Sequence, residues 1–185
     1  MMEYTDKLGI KMVRHQTTDR ATINSLIATL NDDDGLVRQR TRLALVHIGA
    51  AAVEPLIKAL KSDNQYIHWE AAKALSQIGD PQAVDALVHA LDDEKFSIRW
   101  LAAEGLIATG MPSVVPLLRA LIDQSDSVRL REGAHHVFQD LVGRRLLIEP
   151  AVRGQISAVL AALRGVEPVV ETPLAAYNAL KALRS

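Results

Sequence analysis

The sequence contains no cysteine. That excludes disulfides, thiolate zinc sites and a cysteine nucleophile on this chain, and it fits a reducing compartment. Aromatic residues are scarce, at 4%, so the 49% hydrophobic content is mostly Ala, Leu, Val and Ile. Such side chains suit helices packed closely in layers. Charge of one sign is missing too: 23% of residues are charged, yet the formal net charge is −1. Without a basic excess, nucleic acid is a poor fit, because it demands many Lys and Arg contacts to phosphate. No apolar run approaches a membrane span. The opening MMEYTDKLGIKMVRHQTTDR lacks the apolar core of a signal peptide. The expected location is the cytoplasm. No P-loop, nucleophile elbow or paired catalytic carboxylate motif is found.

What the sequence does have is repetition. LIATL at Leu26–Leu30 recurs as LIKAL at Leu56, LVHAL at Leu87 and LLRAL at Leu117, with first leucines 30, 31 and 30 positions apart. A second signature follows each: VRQRTRLALVHIG from Val37, IHWEAAKALSQIG from Ile67 and IRWLAAEGLIATG from Ile98. A fourth copy starts as VRLREGAHH at Val128 and then degrades. Each unit reads as two helices. In the first, Val84, Leu87, Val88 and Leu91 share one face. Asp34, Asn64 and Ser125 are placed to cap the second. Gly49, Gly79 and Gly110 end it, and Pro81 and Pro112 open the next unit. No such pair can bury its apolar face alone, so the chain must stack.

The expected organisation is a polar arm over residues 1–18, then four repeats over about 19–49, 50–79, 80–110 and 111–141. A C-terminal helix pair over 142–185 should cap the stack. Its helices are expected at Pro150–Arg164, with Gly165 as the stop, and Thr172–Arg184, with Thr172-Pro173 as cap and first turn. The fold class is all-α, an α-α superhelix.

IHWEAAKALSQIGDPQAVDAL and IRWLAAEGLIATG resemble the short HEAT-like repeats first noted in phycobilin lyases, over about Leu26 to Leu141. The resemblance implies a right-handed, armadillo-like α-solenoid. It implies little about function, since the class spans scaffolds, adaptors, bilin lyases and an iron-dependent hydroxylase. Deoxyhypusine hydroxylases of this repeat type carry adjacent His-Glu pairs at two positions that here hold Gln39-Arg40, Trp69-Glu70, Trp100-Leu101 and Leu130-Arg131. Only Glu70 matches, so no hydroxylase site is implied. His135-His136 is no better, because adjacent helical residues diverge by about 100°. No metal, cofactor or catalytic residue is expected.

In HEAT-like arrays the second helices line the concave surface. Residues off their apolar stripe are therefore the candidate protein-binding face: Gln39, Arg40, His47, Trp69, Glu70, Lys73, Trp100, Leu101, Glu104, Leu130 and Arg131. Both tryptophans hold the same repeat position, and Leu101 and Leu130 would extend an apolar strip between them and the last repeat. Arg40 and Arg131 could grip an acidic peptide. Arg38, Arg99 and Arg129 are expected to brace the stack on turn aspartates such as Asp33, Asp93 and Asp123. The expected function is a non-catalytic scaffold or adaptor holding a protein or peptide partner. The alternative is an accessory subunit or lyase-like factor for bilin attachment, with nucleic-acid binding behind it.

Overall fold

The computed structural model describes residues 4–5, 11–12, 19–147 and 149–183. Two short strands, β1 (Tyr4–Thr5) and β2 (Lys11–Met12), pair antiparallel, with Tyr4 opposite Met12. The remainder of the polar arm lies outside the described residues. Ten α-helices follow among the described residues. First-layer helices are α1 (Arg20–Thr29), α3 (Ala50–Ala59), α5 (Val84–Ala90) and α7 (Val114–Asp123). Second-layer helices are α2 (Gly35–Ile48), α4 (Gln65–Ile78), α6 (Phe96–Thr109) and α8 (Val128–Gly143). The chain ends with α9 (Pro150–Leu163) and α10 (Pro168–Ala182).

Local chemistry sets these boundaries. The Asp34 carboxylate accepts from the Leu36 N–H at 2.8 Å, and Asn64 Oδ1 from Tyr66 and Ile67 at 2.9 and 3.1 Å. Each satisfies donors that a helix start leaves unpaired. In the fourth unit the cap is Ser127, whose Oγ accepts from the Leu130 N–H at 3.0 Å, and not Ser125. Gly49 and Gly110 end α2 and α6 at φ 70° and 72° with ψ −132°. A side chain there would be strained, so glycine lets the chain reverse at once into the next first-layer helix. Pro81 and Pro112 sit in short 3-10 turns at that reversal.

The core is a continuous sandwich. Each second-layer helix packs on its own first-layer partner and on the adjoining second-layer helices. Leu45, Leu75, Leu106 and Phe138 recur at one position and are fully buried. Each leucine so buried contributes about 1.5–3 kcal/mol. Ala71, Ala72, Ala102 and Ala103 are also buried, and their small size lets neighbouring helices approach.

The terminal pair breaks the pattern. Here α9 packs on α8, continuing the second layer, and α10 returns to pack on α7 and α9. The layer order is thus reversed. The last helix also starts earlier than its Thr172-Pro173 dipeptide suggests. Pro168 opens it, and the Glu171 carboxylate accepts from the Glu167 N–H at 3.3 Å. Thr172 lies one turn inside and is fully buried, and Pro173 is a helix-interior proline.

Two histidines tie units together, and burial depresses both. Desolvation lowers the His68 pKa and outweighs the attraction of Asp93, 3.4 Å away across the repeat boundary. Desolvation also lowers His135, helped by the Arg164 and His136 charges. Arg164 Nε donates to the His135 Nε2 at 2.7 Å, linking α9 to α8, which requires that nitrogen unprotonated. The unfolded chain therefore takes up these protons first. Stability is expected to fall as pH drops through the ordinary histidine range, and to stop falling on this account below the folded pKa values. Urea melts across that range check it, and His135→Gln should flatten the slope.

Ending the chain after Val142 would remove α9 and α10 and expose apolar surface on α7 and α8. The shortened chain is expected to aggregate or melt at lower temperature by calorimetry. An unchanged, monomeric melt would make the pair an appendage rather than a cap.

Candidate functional site

The geometry of the second-layer face is set by an arginine brace. Arg38 Nη1 donates to the Asp32 and Asp33 carbonyls at 2.6 and 3.1 Å. Arg99 Nη1 does the same to Asp93 and Glu94 at 2.9 and 3.0 Å. In the fourth unit it is Arg131 that reaches six residues back, to the Ser125 carbonyl. These arginines bind turn carbonyls, where unpaired acceptors meet a planar donor fork, rather than the expected turn carboxylates. Arg129 instead reaches the Asp92 carbonyl of the preceding repeat at 3.3 Å.

The cap at Ser127 and the brace at Arg131 both put the fourth signature two residues later than VRLREG suggests. Leu130, 1% exposed, is thus the counterpart of Ile98, 0% exposed. It belongs to the buried stripe and does not extend the tryptophan strip. Glu132 and His136 hold the face positions instead, while Gly133, the counterpart of Glu70 and Leu101, packs against buried Leu91. Arg131 is spent on its own turn and does not form an anion grip with Arg40.

The other expected residues divide. Gln39, Arg40 and His47 are exposed, and Lys73 and Glu104 are half-buried. Trp69 is 37% and Trp100 47% exposed. Leu101 is buried at 5% in the core, so the strip is interrupted there too. Glu70 is also buried. Its carboxylate meets the Arg42 Nη1 at 2.7 Å and Arg38 Nε at 3.6 Å, both from the repeat before. Arg42 Nε also donates to Gln77 at 3.2 Å. This is an inter-repeat clamp, not a binding residue.

Both tryptophans are held on one side. Arg42 lies 5.8 Å from the Trp69 ring centre, a cation–π contact. Trp100 stacks on His136 at 4.8 Å, and His136 Nε2 lies 3.6 Å from Glu104. Beside Trp100 an open groove of ≈ 660 Å³ runs past Lys73, Gln77 and Glu104 to Arg144 and Leu146. His136 was hidden by the register slip, and Arg144 and Leu146 lie in a connection that carries no repeat signal. Among the described residues no three metal-ligating side chains converge. No helix among them is long and apolar enough to cross a membrane.

Stacked helix pairs, braced turns and a continuous two-layer core define an α-solenoid of two-helix repeats. The chain belongs to the HEAT repeat family, whose profile matches residues 23–107 and again 53–137. It is 36% identical over 78 residues to phycocyanobilin lyase subunit alpha of Picosynechococcus sp.. That match covers 38% of this chain and 29% of the relative. It is 43% identical over 61 residues to an uncharacterized phycocyanin operon protein Z of Pseudanabaena tenuis, covering 32% and 30%. The chain therefore matches less than a third of either relative's length. Among solved structures, an engineered protein aligns at TM-score 0.43 and 20% identity, covering 89% of this chain and 80% of that one. A designed armadillo repeat protein aligns at 0.39 and 18%, covering 87% and 99%.

The clamp generates a direct expectation. Glu70→Ala leaves Arg42 and Arg38 without their shared counter-charge and should cost about 3–5 kcal/mol. The double variant Glu70→Leu, Arg42→Met should recover part of that loss, because the 2.7 Å pair leaves together while Arg38 keeps its turn carbonyls. Chemical denaturation of the two variants measures the difference.

Proposed function

We propose that this chain is a non-catalytic scaffold or adaptor that holds a protein or peptide partner on its second-layer face. One observation carries the reading: Trp69 and Trp100, at equivalent positions in adjacent repeats, are 37% and 47% exposed, and Trp100 lines the groove that runs past Lys73. Tryptophans that are rigidly backed yet open are the side chains that most often dominate interfaces. The groove offers Lys73 next to an indole, with Arg144 paired to Asp140 and Glu104 turned to His136, which suits a partner segment with an apolar anchor and an acidic neighbour. The expected cytoplasmic setting is part of this reading.

A second reading, a bilin-attachment accessory or lyase-like role, is favoured by the similarity to phycocyanobilin lyase subunit alpha. It shares the first reading's need for a protein partner. The identity of the retained protein separates the two. A pigment-bearing protein favours the second, and retention that collapses steeply with salt points to nucleic acid.

Trp69→Ala and Trp100→Ala should each cost no more than about 1 kcal/mol of stability, since neither indole is buried. Each should weaken partner binding by about 2 kcal/mol. Affinity capture with wild-type and variant baits, followed by titration of the retained protein, checks this. A stability loss of about 3–5 kcal/mol with unchanged binding would instead make the indoles core residues.

A further inference from the structure

The open face of the second layer carries a diagonal apolar band. Trp69 and Trp100 stand at equivalent positions on α4 and α6, where α2 has Gln39 and α8 has Glu132. Leu43 lies one turn further along α2, and Phe96 and Val128 lie one turn earlier on α6 and α8. All five apolar side chains are exposed. Phe96 and Trp100 are 6.5 Å apart between ring centres. Because α2, α4, α6 and α8 pack side by side, the band advances by about 8–10 Å per repeat.

That step selects the shape of what can lie along it. A β-strand shows side chains on one face about every 6–7 Å, so it falls out of register. An α-helix matches at every seventh residue, about 10.5 Å, but it would cross α4 and α6 almost at right angles, a rarer packing class. A polyproline II helix returns the same face every third residue, about 9.3 Å along. It also leaves its backbone carbonyls unpaired, so it needs donors from the surface that holds it. Neither the Trp69 nor the Trp100 indole N–H has a hydrogen-bond partner among the described residues. An α-helix would offer those donors little, since its carbonyls are already paired.

We infer that the segment held on this face is proline-rich and in the polyproline II conformation, with prolines three residues apart seated against Trp69 and Trp100. The inference rests on the binding role proposed for the two tryptophans and specifies the chemistry of what they hold. Charge sets the direction of the segment. Among the described residues, no hydrogen bond or ion pair engages the Lys73 ammonium or the Glu132 carboxylate. Lys73 lies one turn from Trp69, and Glu132 lies one repeat beyond Trp100. An acidic residue beside the first proline and a basic residue one step past the second complete the match.

Fluorescence titration of the full chain with the peptide EPPLPPLK tests it, because the sequence has 2 tryptophans and both belong to the face. Their emission should shift with a dissociation constant of about 100 µM, since so short a segment buries less than a standard interface. EAALAALK keeps the charges and leucines but loses the preformed helix, and should bind at least about tenfold more weakly. Trp100→Phe keeps a ring and removes the N–H, and should weaken binding several-fold with the fold intact by circular dichroism. Trp100→Ala should weaken it further. Lys73→Glu should weaken EPPLPPLK several-fold and leave the neutral QPPLPPLQ unaffected. No shift with EPPLPPLK up to about 2 mM overturns the inference. Equal binding of EAALAALK overturns it, and so does binding indifferent to both Trp100 variants. If EPPLPPLK fails while a partner captured from the native host still depends on both tryptophans, the inference falls and the proposed face stands. A captured partner indifferent to both tryptophans removes the face itself.

Discussion

Every other feature depends on one constraint: no helix pair in this chain buries its apolar face without a neighbouring pair. Leu75 and Leu106 lie in helices that touch the repeat before and the repeat after. The alanines beside them are small because that closeness leaves no room for more. Polar contacts then fix how the layers sit. The Arg42–Glu70 pair, the His68–Asp93 contact and the Ser127–Asp92 hydrogen bond each cross a repeat boundary. Burial supplies the attraction and these contacts supply the register.

The same constraint decides which residues are free to act. A side chain on a second-layer helix faces its neighbours over much of its circumference, so only a narrow strip remains for anything else. Trp69 and Trp100 lie in that strip. Glu70 and Leu101, one residue further on, do not. A turn of about 100° between consecutive residues is enough to move a side chain from surface to inter-repeat seam.

Much of this was legible in the sequence. The repeat length, the helix pairs, the caps at Asp34 and Asn64 and the glycine stops all follow from local chemistry that repeats. Expectation and structure part where the repetition fails. VRLREG mimics the other signatures but starts two residues early, because the cap moved from Ser125 to Ser127. Counted from Val128, the pattern places Leu130 and Arg131 on the open face and His136 in the buried stripe, whereas the structure buries Leu130 and stacks His136 on Trp100. Thr172-Pro173 has the chemistry of a helix start. An earlier proline at Pro168 took that place and left Thr172 in the core. Periodicity gave the face of Glu70 within one residue, but its burial depends on Arg38 and Arg42 of another repeat, and no local pattern encodes that meeting.

The reversed order of α9 and α10 gives the stack a grammar. Units between Ile23 and Gly143 enter in the first layer and leave from the second. One could be copied or deleted whole, and every later helix would still fall in its own layer. A copy of α9–α10 placed after α10 would follow a first-layer helix instead of a second-layer one, and would set an apolar stripe against the wrong neighbour. Heritable change in the number of repeats is therefore neutral to packing in one part of the chain and disruptive in the other. The boundary between the two parts is the connection from Arg144 to Glu149.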